Sequence, residues 1–380
     1  MKSSGEASTG RRASLGRLAG LACALGSLGV VDRSRAGQTS GWAGNGGAGG
    51  GATGAGGSAT GAGGGATGVG AASHTAGTAP VFVLNSRDAT VSLIDPRAML
   101  VVGELAVGKE PHHLYPTPDG GQLIVGSAMS NELHIFDPLS ARLVQRVRQI
   151  DDPYQIGYAP NRRWFAVAAL RLDRVDLYRH AGLPGESFQL LKRIALPRAP
   201  SHLWFTADSK TLLVTLQDSG ELAAIDAERM EALWKIAVGP LAAGVIVTAD
   251  DRHAVVGVMG EDHIAVVDWR QRQIVQRLTT GKGAHNFRGA GDRKHIYVSN
   301  RVDNTVSCVD TERWRVSATL SVPGGPDCME IAADQRTMWV TSRFARAVHV
   351  LDLPSGKIMH RITVGRSPHG IFLAQRAPLL

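Results

Sequence analysis

The sequence lacks the features that mark several common protein classes. Three cysteines in 380 residues are too few for a disulfide framework, and aromatic residues make up only 5% of the chain. No run of eighteen or more apolar residues is present, which argues against a membrane-spanning helix. Helical periodicity is also absent, as are a CxxCH haem-attachment motif, a GxSxG nucleophile motif, a phosphate-binding loop and a dinucleotide fingerprint. These absences exclude a covalent c-type haem domain on this chain and disfavour the common nucleotide-binding enzymes.

The net charge of +8 is not a sign of nucleic-acid binding. Residues 1–36 contain six basic and two acidic side chains, which is half of the excess, and the remaining charges are well mixed along the chain. A nucleic-acid-binding surface normally needs clustered Lys and Arg residues. We therefore expect no nucleic-acid partner.

The first 79 residues divide into two segments that do not resemble a folded domain. Residues 1–36 have a basic start, a 14-residue apolar run over 18–31 and the small-residue pattern Ser34-Arg35-Ala36, which is typical of an export signal. Residues 37–79 contain 18 glycines in 43 positions, with Ala, Ser and Thr filling most of the rest. Such a segment has little apolar surface to bury, so we predict a flexible tether. The protein is therefore expected in the periplasm or at the cell surface, with no transmembrane segment in the mature chain.

From residue 81 onward the chain is a repeat. The phrases LIVGSAMSNELHIFD (123–137), IYVSNRVDNTVSCVD (296–310) and MWVTSRFARAVHVLD (338–352) share two short strands joined by a polar turn. An equivalent position near the end of each phrase recurs at intervals of 42, 42, 47, 42, 42 and 42, and an insertion at 180–188 accounts for the long interval. The positions are Asp95, Asp137, Arg179, Asp226, Asp268, Asp310 and Asp352. We predict that these aspartates accept hydrogen bonds from turn N–H groups.

The unit predicts a seven-bladed β-propeller with four antiparallel strands in each blade. Four candidate strands of four to six residues, rich in β-branched residues and separated by turn clusters, fit each repeat of about forty residues. The first unit lacks an inner strand, and the chain ends with HGIFLA (369–374), which matches an inner strand. The last strand is therefore expected to complete the first blade and close the ring. The propeller is predicted over 80–376, followed by a short tail at 377–380, and this closure by one chain favours a monomer.

These residues also carry a family resemblance. IYVSN with NTVSCVD, the turn phrase TPDG (117–120) and VGRSPHGI (364–371) resemble the YVTN-type β-propeller repeat over essentially all of 81–375. The resemblance implies a fold related to exported surface-layer propellers and to the haem propeller of cytochrome nitrite reductases. That wider family has mixed functions, so the resemblance implies no particular reaction.

One constellation of residues could carry chemistry. In a propeller the inner strands of all blades begin at the same face around a central channel, so equivalent positions converge there. Polar residues at these positions are His112, His113, His202, His285, Asp327, Cys328 and His369. With the ring closed, all of these except His202 fall in four consecutive blades, and His202 is expected across the ring.

Three interpretations of this constellation remain open. Its residues could cap backbone groups at the channel mouth, ligate a transition metal or non-covalent haem, or bind a small organic ligand or act in acid–base chemistry. Three functions also remain open: an exported scaffold or binding protein for a ligand or protein partner, a periplasmic metal- or haem-dependent oxidoreductase or cofactor-handling protein, and a lactonase or lyase in which a channel metal polarises a carbonyl. The sequence alone does not place any two of these side chains within ligation distance.

Overall fold

The computed structural model describes residues 78–379. The predicted export signal and nearly all of the predicted tether lie outside the described residues. Within 78–379 the regular structure is β-sheet, apart from two three-residue 3-10 turns at Ala128–Ser130 and Leu170–Leu172. No helix in this part of the chain is long and apolar enough to cross a bilayer.

Seven four-stranded antiparallel sheets form the blades of the predicted propeller. The first fourteen strands are β1 (Val81–Asn85), β2 (Thr90–Asp95), β3 (Leu100–Ala106), β4 (Pro111–Pro116), β5 (Leu123–Ser127), β6 (Glu132–Phe136), β7 (Leu143–Arg148), β8 (Gln155–Tyr158), β9 (Phe165–Ala169), β10 (Arg174–Arg179), β11 (Gln189–Ala195), β12 (Pro200–Phe205), β13 (Thr211–Leu216) and β14 (Glu221–Asp226). The other fourteen are β15 (Glu231–Ala237), β16 (Ala242–Val247), β17 (His253–Val258), β18 (His263–Asp268), β19 (Gln273–Thr279), β20 (Ala284–Gly289), β21 (His295–Asn300), β22 (Thr305–Asp310), β23 (Arg315–Ser321), β24 (Pro326–Ile331), β25 (Thr337–Ser342), β26 (Ala347–Asp352), β27 (Lys357–Thr363) and β28 (Pro368–Phe372).

The ring closes as the sequence predicts. Blade 1 has the strand order β28-β1-β2-β3, so the C-terminal strand is the inner strand of the N-terminal blade. Blades 2 to 7 are formed by β4–β7, β8–β11, β12–β15, β16–β19, β20–β23 and β24–β27, each in chain order from the inside out. Closure by the chain itself pairs what would otherwise be two exposed sheet edges.

The hydrophobic core lies between the blades rather than at the centre of the ring. Seven apolar clusters fill the seven interfaces between neighbouring blades. The second and third strands are almost wholly buried, as in β5, whereas outer strands such as β19 alternate between exposed and partly buried residues. Because the core occupies the interfaces, the central channel is left to side chains of the inner strands.

The repeated aspartates have the structural role predicted for them. Asp95, Asp137, Asp226, Asp268, Asp310 and Asp352 each accept at least one backbone N–H bond, 2.8–3.2 Å long, from the turn between the third and fourth strands. The insertion at 180–188 is a longer loop that joins β10 to β11. Cys308 and Cys328 are buried free thiols.

Candidate functional site

A β-bulge marks the start of the inner strand in six of the seven blades. In blade 2, Pro111 pairs with Ser127 and Leu114 with Val125, so His112 and His113 together oppose Gly126. The same two-against-one register occurs in blades 1, 4, 5, 6 and 7. A bulge inserts an extra residue and redirects side chains that would otherwise alternate between faces. It therefore brings neighbouring residues such as His112 and His113 into the same region, with their ring centroids 4.8 Å apart.

The residue opposite each bulge is suited to that geometry. A Cβ at Gly126 would lie 2.7 Å from Pro153 O, so only glycine fits opposite the bulge of blade 2. In blade 7 the Thr341 hydroxyl accepts a bond from Cys328 N at 3.0 Å and lies 2.8 Å from His369 O, to which it donates. The bulged backbone is thus held by side chains of the second strands.

All seven side chains predicted from the sequence are buried at this end of the channel. The exposed fraction of each residue is 8% or less, so the site is an enclosed cluster rather than a set of surface loops. His202, expected across the ring, has its ring centroid 5.2 Å from those of both His113 and His285, because the channel is narrow. The seven residues are His112, His113, His202, His285, Asp327, Cys328 and His369.

The imidazoles contact one another directly. The ring of His369 lies 3.8 Å from that of His112, and Tyr154 stacks on the opposite side of His112 at 4.0 Å. His113 is edge-on to His369 at 4.7 Å. Burial is the largest cause that lowers the pKa of each histidine in this cluster, to about 3 for His113 and about 4 for His285. The cluster is therefore made of neutral imidazoles at neutral pH, the form that binds metals.

Several of these buried rings have nitrogen atoms with no hydrogen-bond partner in the described chain. The unpartnered atoms are His112 Nδ1, His113 Nε2 and His202 Nε2, whereas His285 Nδ1 lies 3.1 Å from Asp327 Oδ1. A buried polar atom without a partner costs free energy, so each one calls for an explanation such as a bound ion, ligand or water.

Hydrogen bonding fixes the tautomer of His369. Its Nδ1 lies 2.7 Å from the backbone oxygen of His112, and a carbonyl can only accept, so Nδ1 carries the proton. The Nε2 atom is consequently the unprotonated nitrogen, with its lone pair directed into the cluster. Metal-ligating histidines commonly donate their other ring N–H to a carbonyl in this way, which fixes the orientation of the ring.

Asp327 is the one carboxylate within the cluster, and two arginines that the sequence reasoning missed bind it. Arg301 Nη2 lies 2.6 Å from both carboxylate oxygens, and Arg343 Nη1 lies 3.3 Å from Oδ2. Burial alone would raise the pKa of Asp327, but the charge of Arg301 and the hydrogen bond from His285 hold it well below its usual range. Arg301 and Arg343 are 42 residues apart and each follows a second strand, so the repeat register could have revealed them.

Cys328 lies at the edge of the cluster as a thiol. Its Sγ is 3.1 Å from Asn286 Nδ2 and 3.5 Å from His369 Nδ1. Burial raises the pKa of this thiol well above its ordinary value. It belongs to neither of the two groups of the described chain whose ligand atoms all lie within 4.8 Å of one another, which are His112–His113–His369 and His285–Asp327–His369.

Comparison with known proteins agrees with this architecture. Residues 58–379 match the model of the YNCE-like β-propeller family, and the chain belongs to that family. No curated protein gives a significant sequence match.

Solved structures share the fold at low sequence identity. One is the dihydro-haem d1 dehydrogenase NirN in complex with DHE, which is 14% identical with a TM-score of 0.60 over 78% of this chain and 75% of that one. Hydrazine synthase of Kuenenia stuttgartiensis is 18% identical with a TM-score of 0.58 over 68% and 88%. A protein of unknown function from Desulfotomaculum acetoxidans DSM 771 is 12% identical with a TM-score of 0.66 over 79% and 100%. At these identities the likeness is one of fold.

Proposed function

We propose that the protein is an exported β-propeller that binds a transition-metal ion in its central channel through His112, His113 and His369. The observation that carries the proposal is a buried cluster of neutral imidazoles with unpartnered nitrogens. The signal-like residues 1–36 support export, and the ring closed by its own last strand supports a monomer. These imidazoles are suited to hold an ion, so the proposed activity is binding rather than a particular reaction.

The three-histidine group fits an ion better than the group that includes Asp327. His112 Nδ1 and His113 Nε2 have no partner, and His369 Nε2 has only contacts of 3.5 Å, so little is displaced when an ion binds. In contrast, both oxygens of Asp327 already lie 2.6 Å from the Arg301 guanidinium. An ion at Asp327 would have to break that charge-assisted pair.

The donor set indicates the class of metal. Imidazole suits Zn²⁺, Cu²⁺ and Ni²⁺ better than the hard ions Ca²⁺ and Mg²⁺. Zn–N bonds of about 2.0–2.1 Å place tetrahedral ligand nitrogens roughly 3.4 Å apart, so the rings would turn inward by about 1 Å from separations of up to 4.8 Å. Three protein ligands leave a fourth position open for water or another ligand.

The packing of the rings argues against a haem between them. NirN handles a d1-type haem, as its description indicates, but here neighbouring rings lie 3.8–5.2 Å apart with no slot for a flat macrocycle. A haem would have to separate rings that are now in van der Waals contact. A single ion needs only a small rotation of the side chains.

The test is metal binding by protein purified without a metal-affinity tag and stripped with a chelator. We expect close to one Zn²⁺ or Co²⁺ per chain, with Co²⁺ giving the visible absorption of a nitrogen-ligated tetrahedral or five-coordinate site. The triple variant His112→Gln, His113→Gln, His369→Gln should lose at least 100-fold in affinity. The matched control, His295→Gln at the start of β21 with His360→Gln on the outer strand β27, should keep wild-type affinity.

Two results would overturn the proposal: no metal bound by the wild type, or equal affinity in the triple variant. If the triple variant does not fold, as judged by circular dichroism, the single change His113→Gln replaces it. His113 Nε2 has no partner to lose, so this variant should fold and bind metal about tenfold or more weakly.

A further inference from the structure

Arg301 and Arg343 stand at the same place in neighbouring blades. Each directly follows the second strand of its blade, β21 or β25, on the face where the inner strands begin. Their side chains are 14% and 23% exposed, whereas the carboxylate of Asp327 that they share is fully buried. The two guanidinium groups thus lie between the histidine cluster and solvent.

These arginines have hydrogen-bond donors that no oxygen of residues 78–379 accepts. Arg301 Nε is buried without a partner, and its Nη1 contacts only Met259 Sδ at 3.5 Å. Arg343 makes one bond of 3.3 Å, to Asp327. A guanidinium carries five donors in a planar fork that matches a carboxylate or phosphate. Asp327 therefore leaves much of this binding capacity unused.

A bound metal would leave positive charge at this mouth without a counter-charge. Two guanidinium groups face one carboxylate, and the imidazoles are neutral, so the cluster itself has one positive charge in excess. The nearby Glu110 and Asp152 share Arg171, at 2.8 and 2.6 Å, so these three side chains contribute one negative charge. The groups therefore balance without a metal, and a bound divalent ion would leave two positive charges in excess. Buried charge of one sign is costly unless a counter-charge accompanies it.

We propose that Arg301 and Arg343 hold a small oxyanion, a carboxylate or a phosphate, which serves as a co-ligand of the channel metal. The inference rests on the proposed metal site, because the anion would occupy the coordination position that three histidines leave open. Arg301 Nη2 already lies 3.5 Å from His369 Nε2, so an anion bound to this guanidinium is next to a ligand atom of the metal. Metal and anion are then expected to bind cooperatively, because each offsets the charge of the other.

The experiment uses the Co²⁺-loaded protein, whose visible spectrum reports on the coordination of the ion. Sodium acetate and sodium phosphate are titrated at constant ionic strength, with sodium perchlorate as the weakly coordinating control. We expect a saturable spectral change with acetate or phosphate and none with perchlorate. Either response supports the proposal, and the lower midpoint identifies the preferred oxyanion class.

Variants test the role of the arginines. Arg343→Gln keeps the Arg301–Asp327 pair and should weaken the oxyanion at least tenfold while Co²⁺ still binds. The matched control is Arg142→Gln, an exposed arginine at the opposite face, which should titrate as the wild type does.

The outcomes separate this inference from the function on which it rests. A Co²⁺ spectrum that no oxyanion alters, or an equal midpoint in Arg343→Gln, would overturn the anion site and leave the metal site standing. Failure to bind Co²⁺ at all would overturn the metal site itself.

Discussion

The inner strands β20 and β24 carry a buried pair of interacting side chains at each end, and the two pairs differ in completeness. Near the far end, Arg288 Nε lies 2.6 Å from Glu330 Oε1, and the other donors of Arg288 reach the carbonyls of Gly289, Ala377 and Pro378 at 2.6–2.8 Å. At the channel mouth, His285 and Asp327 occupy the corresponding positions of the same strands. There Asp327 is bonded to Arg301 and His285, but Arg301 Nε and several imidazole nitrogens of the cluster have no partner among the described residues.

One channel therefore holds a polar pair whose hydrogen bonds are complete and a polar cluster whose hydrogen bonds are not. At the far end, Arg288 binds Glu330 and the carbonyls of Ala377 and Pro378. The hydrogen bonds of this pair are therefore made within the protein, and no ligand is required to complete them. The mouth cluster consists of the seven residues of the candidate site together with Arg301 and Arg343. Some of its hydrogen-bond donors and acceptors have no partner among the described residues, which is expected of a site that binds a ligand. In each pair the two residues are 42 positions apart in the sequence, and all four residues are buried. Burial alone therefore does not distinguish the two pairs.

The largest loss of stability is expected from breaking the Arg288–Glu330 pair. Arg288→Met would leave the buried Glu330 carboxylate with only the more distant Arg376, at 3.9 Å, and we expect the free energy of unfolding to fall by about 3 kcal/mol. Urea denaturation measures the change, and the exposed Arg142→Met serves as the control. Metal affinity of the folded variant should stay at the wild-type value. A loss below about 1 kcal/mol, or a parallel loss of metal binding, would contradict the contrast between the two ends.

Acid should destabilise the metal-free protein through the mouth cluster. Burial lowers the pKa of His113 to about 3 and of His285 to about 4, whereas an unfolded histidine titrates near 6.5. The unfolded state therefore binds more protons below pH 6.5, and the stability falls as the pH decreases from there toward the folded values. At pH 5.5 these two residues together account for about 3 kcal/mol of lost stability. The other three buried histidines of the cluster act in the same direction.

Urea denaturation of the metal-free protein at pH 7.5, 6.5 and 5.5 measures this effect. Saturating Zn²⁺ should steepen the loss, because protons compete with the metal for the same nitrogens. Glu330 acts with the opposite sign, since burial raises the pKa of its carboxyl and acidification favours its folded form. Stability that is flat from pH 7.5 to 5.5 would show that the imidazoles are accessible to water, contrary to the structure.

A smaller effect is expected from Asp327→Asn. The change removes a charge that binds two arginines, but both side chains reach solvent, so water offsets part of the loss. We expect a decrease of about 2 kcal/mol in the free energy of unfolding. Phosphate at millimolar concentration should restore part of it, as measured by thermal denaturation with and without the anion. A decrease as large as that of Arg288→Met would mean that the mouth cluster is as structural as the far end.

The smallest loss of stability is expected from substitution of the repeated aspartates. Asp137→Ala removes an acceptor for the N–H groups of Leu139 and Ser140, and we expect a loss of about 1 kcal/mol with unchanged metal affinity. Asp137→Asn keeps an acceptor oxygen and should lose less. Any change in metal binding by either variant would contradict the assignment of these positions to the turns.

Only part of the histidine cluster can be predicted from the sequence. The 42-residue spacing predicts that His112, His285 and His369 lie at one end of the channel. It did not reveal that a bulge turns both His112 and His113 to the same region, because a bulge depends on how two strands pair. It also missed Arg301 and Arg343, since their place beside Asp327 follows from the close approach of neighbouring blades.

The sequence by itself determined the number of blades, their strands, the closure of the ring and the identity of the residues at the channel mouth. These follow from local patterns that recur in every unit, such as strand alternation and turn chemistry. Only the tertiary structure decided that His202 joins the cluster, that the imidazoles are buried and neutral, and that two arginines share one carboxylate. Those properties depend on the width of the channel and on contacts between residues from different blades, which no spacing along the chain specifies.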